Sequence, residues 1–169
     1  MTEIMIAALT PDAADKVVTL YRAVAAAGGG LARAPDEIDE AYVRGFLARA
    51  QTDGVSRAVW LPDGSLAAEI HAHRMHPRQF GHVLTDLTAA VRPDWQGKGL
   101  GAMLFNALIE AARQMQPPIT RIELMVREGN TGAIALYQRL GFVIEGRLAR
   151  RVRLPNGTTE DDLAMALLL

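Results

Sequence analysis

The spacing of hydrophobic and polar residues predicts a chain that alternates between strands and helices. Short apolar runs bounded by turn residues predict strands, whereas apolar positions at helical spacing predict helices. Two helices are expected over residues 10–27 and 35–50, with a break at Gly28-Gly29-Gly30 between them. Further helices are expected from about Leu100 to the Pro117-Pro118 pair and over residues 131–140. The strands are expected at residues 4–9, 55–61, 66–75, 82–91, 119–126, 142–154 and 158–168.

This element order, βααββ–βα–βα–ββ, predicts an α/β (α+β) fold, in which helices cover both faces of a mixed sheet. The chain of 169 residues is close to the usual size of one domain, and its sequence shows no internal repeat or linker. We therefore expect a single domain over residues 1–169.

A glycine-rich loop joins the strand predicted at 82–91 to an amphipathic helix. Glycines stand at alternate positions in Gly97-Lys98-Gly99-Leu100-Gly101, and the absence of Cβ atoms lets successive backbone N–H groups approach an anion closely. The following helix adds the positive end of its dipole, and its apolar face anchors the loop on the core. The pattern therefore predicts a rigid phosphate-binding loop.

Two other phosphate-binding patterns fit this loop less well. A P-loop requires Ser or Thr after its lysine, and here Gly99 follows Lys98. A dinucleotide fingerprint requires GxGxxG, and this loop has GxGxG. A Rossmann interpretation, with Glu123 contacting a ribose, is the weaker alternative, because the loop follows helices and a hairpin instead of opening a first βαβ unit.

The loop Gln96–Gly101 matches the Gln/Arg-x-x-Gly-x-Gly/Ala signature of the GCN5-related N-acetyltransferases (GNAT). Residues 130–142, Asn-Thr-Gly-Ala-Ile-Ala-Leu-Tyr-Gln-Arg-Leu-Gly-Phe, resemble the second motif of that family, Asn-x-x-Ala-x-x-x-Tyr followed by Gly-Phe. The resemblance runs from residue 66 to the C-terminus, and the ending at 162–165 is similar to the amino-acid and small-amine branch. It implies a GNAT-like, mostly antiparallel sheet and acetyl coenzyme A (acetyl-CoA) as co-substrate. The cofactor-binding residues that it implies are Val91, Gln96, Gly97, Lys98, Gly99, Leu100, Gly101 and Asn130.

Acetyl transfer from a thioester releases a thiolate, and Tyr137 is the candidate that protonates it. A free thiol has a pKa of about 8.5, so a tyrosine near the sulfur is a suitable donor. Its place in the second motif implies the general-acid role. A core tyrosine is the alternative, because Tyr137 shares a helical face with Ala133 and Leu140. Asn130 could cap the same helix as well as contact the cofactor.

The reaction also requires a base, because an amine is mostly ammonium at neutral pH. Asp is depleted in strands, yet Asp86 stands in the middle of the strand predicted at 82–91, where many relatives carry an acid. A structural Asp bonded to a neighbouring loop is the alternative. Glu69 is the second candidate base, on the same predicted strand face as His71 and His73.

Two charged or metal-binding patterns have competing interpretations. The pair His71 and His73 lacks a specified third ligand, so we predict no metal site; the two are expected to be acceptor-cleft histidines or part of a solvated strand face. The arginine run over residues 147–153 is expected to be a solvated strand face, or to supply one Arg that binds an acceptor carboxylate.

The composition limits the classes of partner and the reaction mechanisms that are expected. The net charge of −1 gives no general attraction to nucleic acid or to an anionic membrane, and no signal peptide is recognisable, so a cytoplasmic location is expected. The chain has no cysteine, which excludes a cysteine acyl-enzyme. The apolar ending at 163–169 predicts a homodimer, because it is more apolar than an exposed edge strand should be.

Together these features predict an acetyl-CoA-dependent N-acetyltransferase that acts on an amino acid or another small primary amine by direct attack in a ternary complex. Tyr137 is the predicted acid, and Asp86 or Glu69 is the predicted base. Two alternatives stay open: an N-terminal acetyltransferase of a ribosomal protein or peptide, and a non-catalytic acyl-CoA-binding regulatory module.

Overall fold

The computed structural model describes residues 4–28 and 30–169, so Gly29 of the predicted break lies outside the described residues. Over these residues the elements follow the predicted order βααββ–βα–βα–ββ. The α-helices are Ala14–Ala26 (α1), Glu40–Asp53 (α2), Leu100–Arg113 (α3) and Thr131–Arg139 (α4). The strands are Met5–Ala7 (β1), Gly54–Trp60 (β2), Leu66–Arg74 (β3), Val83–Val91 (β4), Arg121–Arg127 (β5), Val143–Arg153 (β6) and Thr159–Leu168 (β7).

The strands form one sheet in the order β1-β2-β3-β4-β5-β7-β6. Neighbouring strands are antiparallel except β4 and β5, which are parallel. The prediction of a mixed, mostly antiparallel sheet is therefore confirmed, and the Rossmann alternative, which requires a mostly parallel sheet, is wrong. Glu123 instead accepts a hydrogen bond from Thr85 at 3.1 Å and pairs with Arg121 on its own strand.

Helices cover both faces of the sheet, as predicted. Successive residues of β3 point to opposite faces of the sheet. On one face, Glu69 and His71 contact side chains of α1 and α2. On the other face, Ile70 packs in the core cluster under α3 and α4. α1, α2 and α3 each bury one apolar stripe, which is the main stabilisation of such an element, whereas α4 packs partly buried residues such as Leu136 and Tyr137 against the core. No helix in the described part of the chain is both long and apolar enough to cross a membrane.

Two predicted boundaries near the N-terminus differ from the structure. The helix α2 begins at Glu40 rather than at residue 35, because Asp39 caps it by accepting the Tyr42 N–H at 2.8 Å. The segment Pro35–Glu37 forms a separate 3₁₀ turn. The first strand is shorter than predicted and is not buried, because it is the edge of the sheet and leaves Met5 60% exposed.

The C-terminal strand is not an edge, which overturns the reason for predicting a homodimer. β7 lies between β5 and β6 and pairs with both. Leu163, Met165 and Ala166 are apolar because the strand is in the sheet interior. The edge strand at this end of the sheet is β6, where Val143, Ile144 and Leu148 are exposed; these are the residues that a partner would cover.

Candidate active site

A deep cleft opens where the two parallel strands separate. β4 and β5 pair only at Val83 with Arg121 and at Leu84 with Ile122, and beyond these positions the strands diverge. The resulting β4–β5 cleft has a volume of about 1410 Å³ and is lined from both faces of the sheet, by α2 and the α1–α2 connection on one side and by α3 and α4 on the other. This exceeds the roughly 300–1,000 Å³ typical of a single small-molecule pocket.

The glycine loop forms one end of this cleft. Gly97 and Gly99 both have left-handed backbones, with φ of 72° and 82°, and a Cβ built on either would meet nothing within 4 Å. α3 starts directly after Gly99, and no side chain caps it there. The first N–H groups of α3 are therefore available to an anion, and the open space beside the two glycines suits a pyrophosphate.

The third glycine of the loop has a packing role that the sequence did not predict. Gly101 lies inside α3 with an ordinary helical backbone, and a Cβ there would lie 3.1 Å from the Leu136 side chain of α4. Gly101 therefore allows α3 and α4 to pack closely. Gly101 also lines the cleft, where its N–H is one of the first of α3.

Several side chains of the loop stabilise its conformation through contacts within the protein. Gln96 donates to the Val91 carbonyl at 3.1 Å, which ties the loop to the end of β4, and Leu100 is buried beneath it. The Lys98 ammonium lies 4.5 Å from the centre of the Trp95 ring, a cation–π contact, and Lys98 is not among the residues that line the cleft. Val91 and Gln96 both line it.

Asn130 caps its helix, as considered from the sequence, and lies at the cleft. Its Oδ1 accepts the Ala133 N–H at 3.3 Å and so caps α4, and the residue lines the cleft. A Cβ on Gly30 would lie 2.7 Å from Asn130 Nδ2, so the α1–α2 connection passes directly against this cap. The two sides of the cleft meet at Asn130.

Tyr137 lines the cleft from α4. Its ring packs 5.1 Å from Phe105 and 6.0 Å from Phe142, and burial raises the pKa of Tyr137 to about 12. Within residues 4–28 and 30–169 its hydroxyl forms no hydrogen bond, so the O–H is available to a ligand. The phenol keeps its proton throughout the neutral range.

Asp86 lies in a β-bulge that faces the cleft. Between the pairs His71–Thr88 and His73–Thr85, Asp86 and Leu87 of β4 stand opposite the single residue Ala72 of β3. The φ of Asp86 is 50°, a left-handed conformation that Asp tolerates better than most residues, which explains an Asp inside a strand. Its carboxylate is 70% exposed and lies 3.2 Å from His73 Nε2.

The pKa of His73, which pairs with Asp86, lies below its ordinary value. Burial and the nearby Arg49 guanidinium lower the pKa of His73, and the Asp86 carboxylate opposes them. His73 is not among the cleft-lining residues. It therefore orients Asp86 at the bulge rather than facing a ligand.

Glu69 and His71 lie on the sheet face beneath α1 and α2, and this face is not solvated. Glu69 is fully buried and outside the cleft lining, whereas His71, which is 4% exposed, lines the cleft. Glu69 contacts Tyr21 and His71, and the His71 ring stacks on Phe46 at 3.8 Å. Among the described residues, no group of three or more His, Cys, Asp or Glu side chains has the arrangement of a metal site.

The arginines that line the cleft are not those of the 147–153 run. Arg147 pairs with Glu128 and Asp161, and Arg151 pairs with Asp162 at 2.8 Å, so these two arginines of the run are engaged in ion pairs along β6. The cleft is lined instead by arginines that the sequence patterns did not single out. They include Arg33 and Arg49, from the α1–α2 connection and from α2.

Comparison with known proteins agrees with this geometry. Residues 27–142, more than half of the chain, match the sequence profile of the acetyltransferase (GNAT) family. The L-methionine sulfoximine/L-methionine sulfone acetyltransferase of Pseudomonas paraeruginosa is 43% identical over 58 residues, 34% of this chain and 33% of the relative. The ribosomal protein bS18-alanine N-acetyltransferase of Escherichia coli is 38% identical over 78 residues, 46% of this chain and 51% of the relative. The matched segments thus span a third to a half of these relatives.

A solved structure shares the whole fold. The GNAT superfamily phosphinothricin acetyltransferase of Sinorhizobium meliloti, determined in complex with acetyl-CoA, superposes with a TM-score of 0.84 and 17% identity, over 100% of this chain and 89% of that one. The parallel pairing of β4 with β5 and the glycine loop at the start of α3 are consistent with the family match. The chain belongs to the acetyltransferase (GNAT) family.

Proposed function

We propose that this chain transfers the acetyl group of acetyl-CoA to the primary amine of an amino acid or another small amine, by direct attack in a ternary complex. The observation that carries the proposal is the continuous β4–β5 cleft, which has an open anion site at Gly97 and Gly99 and polar side chains under α2. Its volume accommodates a coenzyme and an acceptor together. The absence of cysteine supports direct attack.

Tyr137 is the proton donor to the leaving sulfur in this proposal. It lines the cleft with a protonated hydroxyl that the described residues leave without a partner. Asp86 and Glu69 are the two carboxylates that the sequence offered as the base. Asp86 reaches the cleft directly, whereas Glu69 reaches it only through His71.

An amino acid is the acceptor that the charges favour. Arg33 and Arg49 line the cleft beside His71, and neither forms an ion pair within the described ranges, 4–28 and 30–169. Arg33 lies over the Tyr42 ring at 4.0 Å, which holds its guanidinium in place. Guanidinium groups bind carboxylates in a forked geometry. The name of the Pseudomonas relative, which specifies two methionine derivatives, supports the same class.

We expect Arg49→Met to raise KM for an amino-acid acceptor about 10-fold, equivalent to about 1.4 kcal/mol, with little change in kcat. The amine that lacks only the carboxylate should show the same KM with both proteins, because it makes no use of the guanidinium. Arg44→Met is the matched control, since Arg44 lies on the same helix, pairs with Glu40 and is outside the cleft lining. An equal KM change for both acceptors would contradict carboxylate recognition by Arg49.

The proposed function is tested by measuring thiol release from acetyl-CoA with three sets of acceptors: amino acids, polyamines, and peptides with a free N-terminus. Release with amino acids or small amines supports the proposal. Release only with peptides would support the alternative that the Escherichia coli relative suggests, an N-terminal acetyltransferase. Tight coenzyme binding without release for any amine would favour the non-catalytic acyl-CoA-binding module.

The proposal includes a cytoplasmic location and a homodimer. The homodimer is based on the exposed apolar residues of β6. We expect light scattering at micromolar concentration to give the mass of a dimer. Replacing Val143 and Ile144 with Lys should then shift the mass toward the monomer, because charges would occupy the apolar contact. A monomeric wild-type protein would reject this part.

A further inference from the structure

Three polar side chains form a hydrogen-bonded cluster next to the cleft. Tyr21 Oη donates to Glu69 Oε2 at 2.5 Å, and Glu69 Oε1 lies 3.2 Å from His71 Nδ1. Tyr21 Oη is also 3.3 Å from the same nitrogen. Tyr21, Glu69 and His71, here called the buried triad, come from α1 and from alternate positions on one face of β3.

The burial of this cluster constrains the charges within it. Glu69 has no exposed surface, and a buried carboxylate is costly unless it is paired and hydrogen-bonded. Within the described residues no Lys or Arg contacts Glu69, so His71 is the contacting group that can carry a positive charge. Burial and the Glu69 charge raise the pKa of Tyr21 well above its ordinary value, so this phenol remains a donor.

His71 connects the buried triad to the cleft. It stands opposite Thr88 in the β3–β4 ladder, directly beside the bulge at Asp86, and its ring is held against Phe46 with an interplanar angle of 7°. Its Nδ1 is engaged by Glu69 and Tyr21. Because the ring lines the cleft, Nε2 is the nitrogen that remains for a ligand.

We infer that His71 is the general base of the proposed acetyl transfer, with Glu69 and Tyr21 as positioning residues; this inference rests on the proposed function. Nδ1–H donates to the Glu69 carboxylate, which leaves the lone pair on Nε2. Nε2 accepts a proton from the acceptor ammonium, directly or through one water. The Glu69 charge stabilises the imidazolium that forms, in the way that a carboxylate supports a catalytic histidine.

The protons and bonds balance as follows. The ammonium gives one proton to His71 Nε2, and the freed nitrogen lone pair forms a C–N bond with the thioester carbonyl carbon. The C–S bond then breaks, and the sulfur takes the Tyr137 proton. The nitrogen loses its second proton, which restores the Tyr137 phenol, and the imidazolium releases its proton to solvent. The net products are the amide, the free thiol and one proton.

The surroundings of His71 distinguish it from Asp86. The titratable groups that contact His71 are Glu69 and Tyr21. Arg49, Asp86 and His76 act on its neighbour His73, and Tyr42, Arg49 and Asp86 line the same cleft. Asp86 is exposed and paired with His73, so water solvates its carboxylate. Of these two candidates, His71 is the one that joins the cleft to a buried counter-charge, the Glu69 carboxylate.

The first test uses the wild-type protein and needs no acceptor. Long-range ¹H–¹⁵N NMR of the ring should show that neutral His71 carries its proton on Nδ1, with Nε2 unprotonated. A neutral ring protonated on Nε2 would overturn the inference, because that tautomer has no lone pair to offer in the cleft.

The second test compares variants with the acceptor that gives thiol release. His71→Asn keeps an N–H near the position of Nδ1 and removes Nε2, so kcat/KM should fall about 10²-fold at neutral pH. The loss should shrink as pH rises and the acceptor supplies its own free amine. Glu69→Gln should cost about 10-fold and move the acidic limb of the profile to lower pH, because the charge that favours the imidazolium is gone.

The controls separate a catalytic effect from a structural one. His76→Asn changes a histidine that is 73% exposed, away from the cleft, and should keep both the rate and the profile. A folded His71→Asn protein with full kcat/KM and an unshifted profile would overturn the inference. So would an Asp86→Asn protein that alone loses the pH dependence. Absence of thiol release from the wild-type protein with every amine would instead reject the proposed function.

Discussion

Replacing Tyr137 with Phe is expected to lower kcat roughly 10²–10⁴-fold, with little change in the dissociation constant of acetyl-CoA. The substitution removes the hydroxyl that would protonate the leaving sulfur. The ring contacts with Phe105 and Phe142 remain. Within the described residues the hydroxyl has no partner to lose, so the melting temperature should change by no more than a few degrees.

The pH dependence of this variant distinguishes an acid from a base. The pKa of Tyr137 is about 12, so the phenol stays protonated across the range in which the enzyme is assayed. The activity of Tyr137→Phe should therefore be lower by a constant factor from pH 6 to pH 9, with the wild-type limbs unmoved. Full activity would show that Tyr137 is a core residue, and a shifted acidic limb would show that it participates in deprotonating the amine.

Most of the fold could be predicted because its strands and helices have clear hydrophobic periods. The strand over Val83–Val91, the helix from Leu100 and the hairpin of β2 and β3 lie close to their predicted positions. The errors come from contacts outside the local pattern. The start of α2 depends on the Asp39 cap, and the apolar character of β7 depends on a neighbour on each side, which strand order alone decides.

The conformation of the glycine loop was predictable for a local reason as well. Gly97 and Gly99 both have a positive φ, which glycine adopts readily and other residues disfavour. Glycine at these two positions therefore indicates the backbone conformation directly from the sequence. The role of Gly101 was not predictable, because the close approach that it permits is to Leu136, a residue of another helix.

The side of the cleft formed by α2 and the α1–α2 connection, where we propose that the acceptor binds, was much less predictable. Alternation placed Glu69 and His71 on one face of β3, but period-two alternation does not say what covers that face. Tyr21 and Phe46, which bury it, lie on α1 and α2 and carry no motif. Arg33 and Arg49 were likewise missed, because a lone arginine on a helix or loop is ordinary surface composition until tertiary structure brings it to a cleft.

Gly99→Val is expected to weaken acetyl-CoA binding about 10²-fold, equivalent to about 2.7 kcal/mol. A Cβ built at this position meets no protein atom within 4 Å, so a clash of the Cβ with the fold is not the cause. The cause is the backbone: a φ of 82° is strongly disfavoured for a β-branched residue, and the loop must rearrange where it presents the first N–H groups of α3. The new side chain would also occupy the space in which the pyrophosphate is expected.

The matched control for this variant is Gly64→Val. Gly64 has a φ of 78° and equally open surroundings, but it lies in the turn between β2 and β3, outside the cleft. Both variants should lose stability by a similar amount, on the order of 1–2 kcal/mol for a left-handed residue. Calorimetry should then show a weakened acetyl-CoA affinity only for Gly99→Val. An unchanged dissociation constant in a folded Gly99→Val protein would place the phosphates elsewhere, and equal losses in both variants would trace the effect to general destabilisation rather than to the anion site at α3.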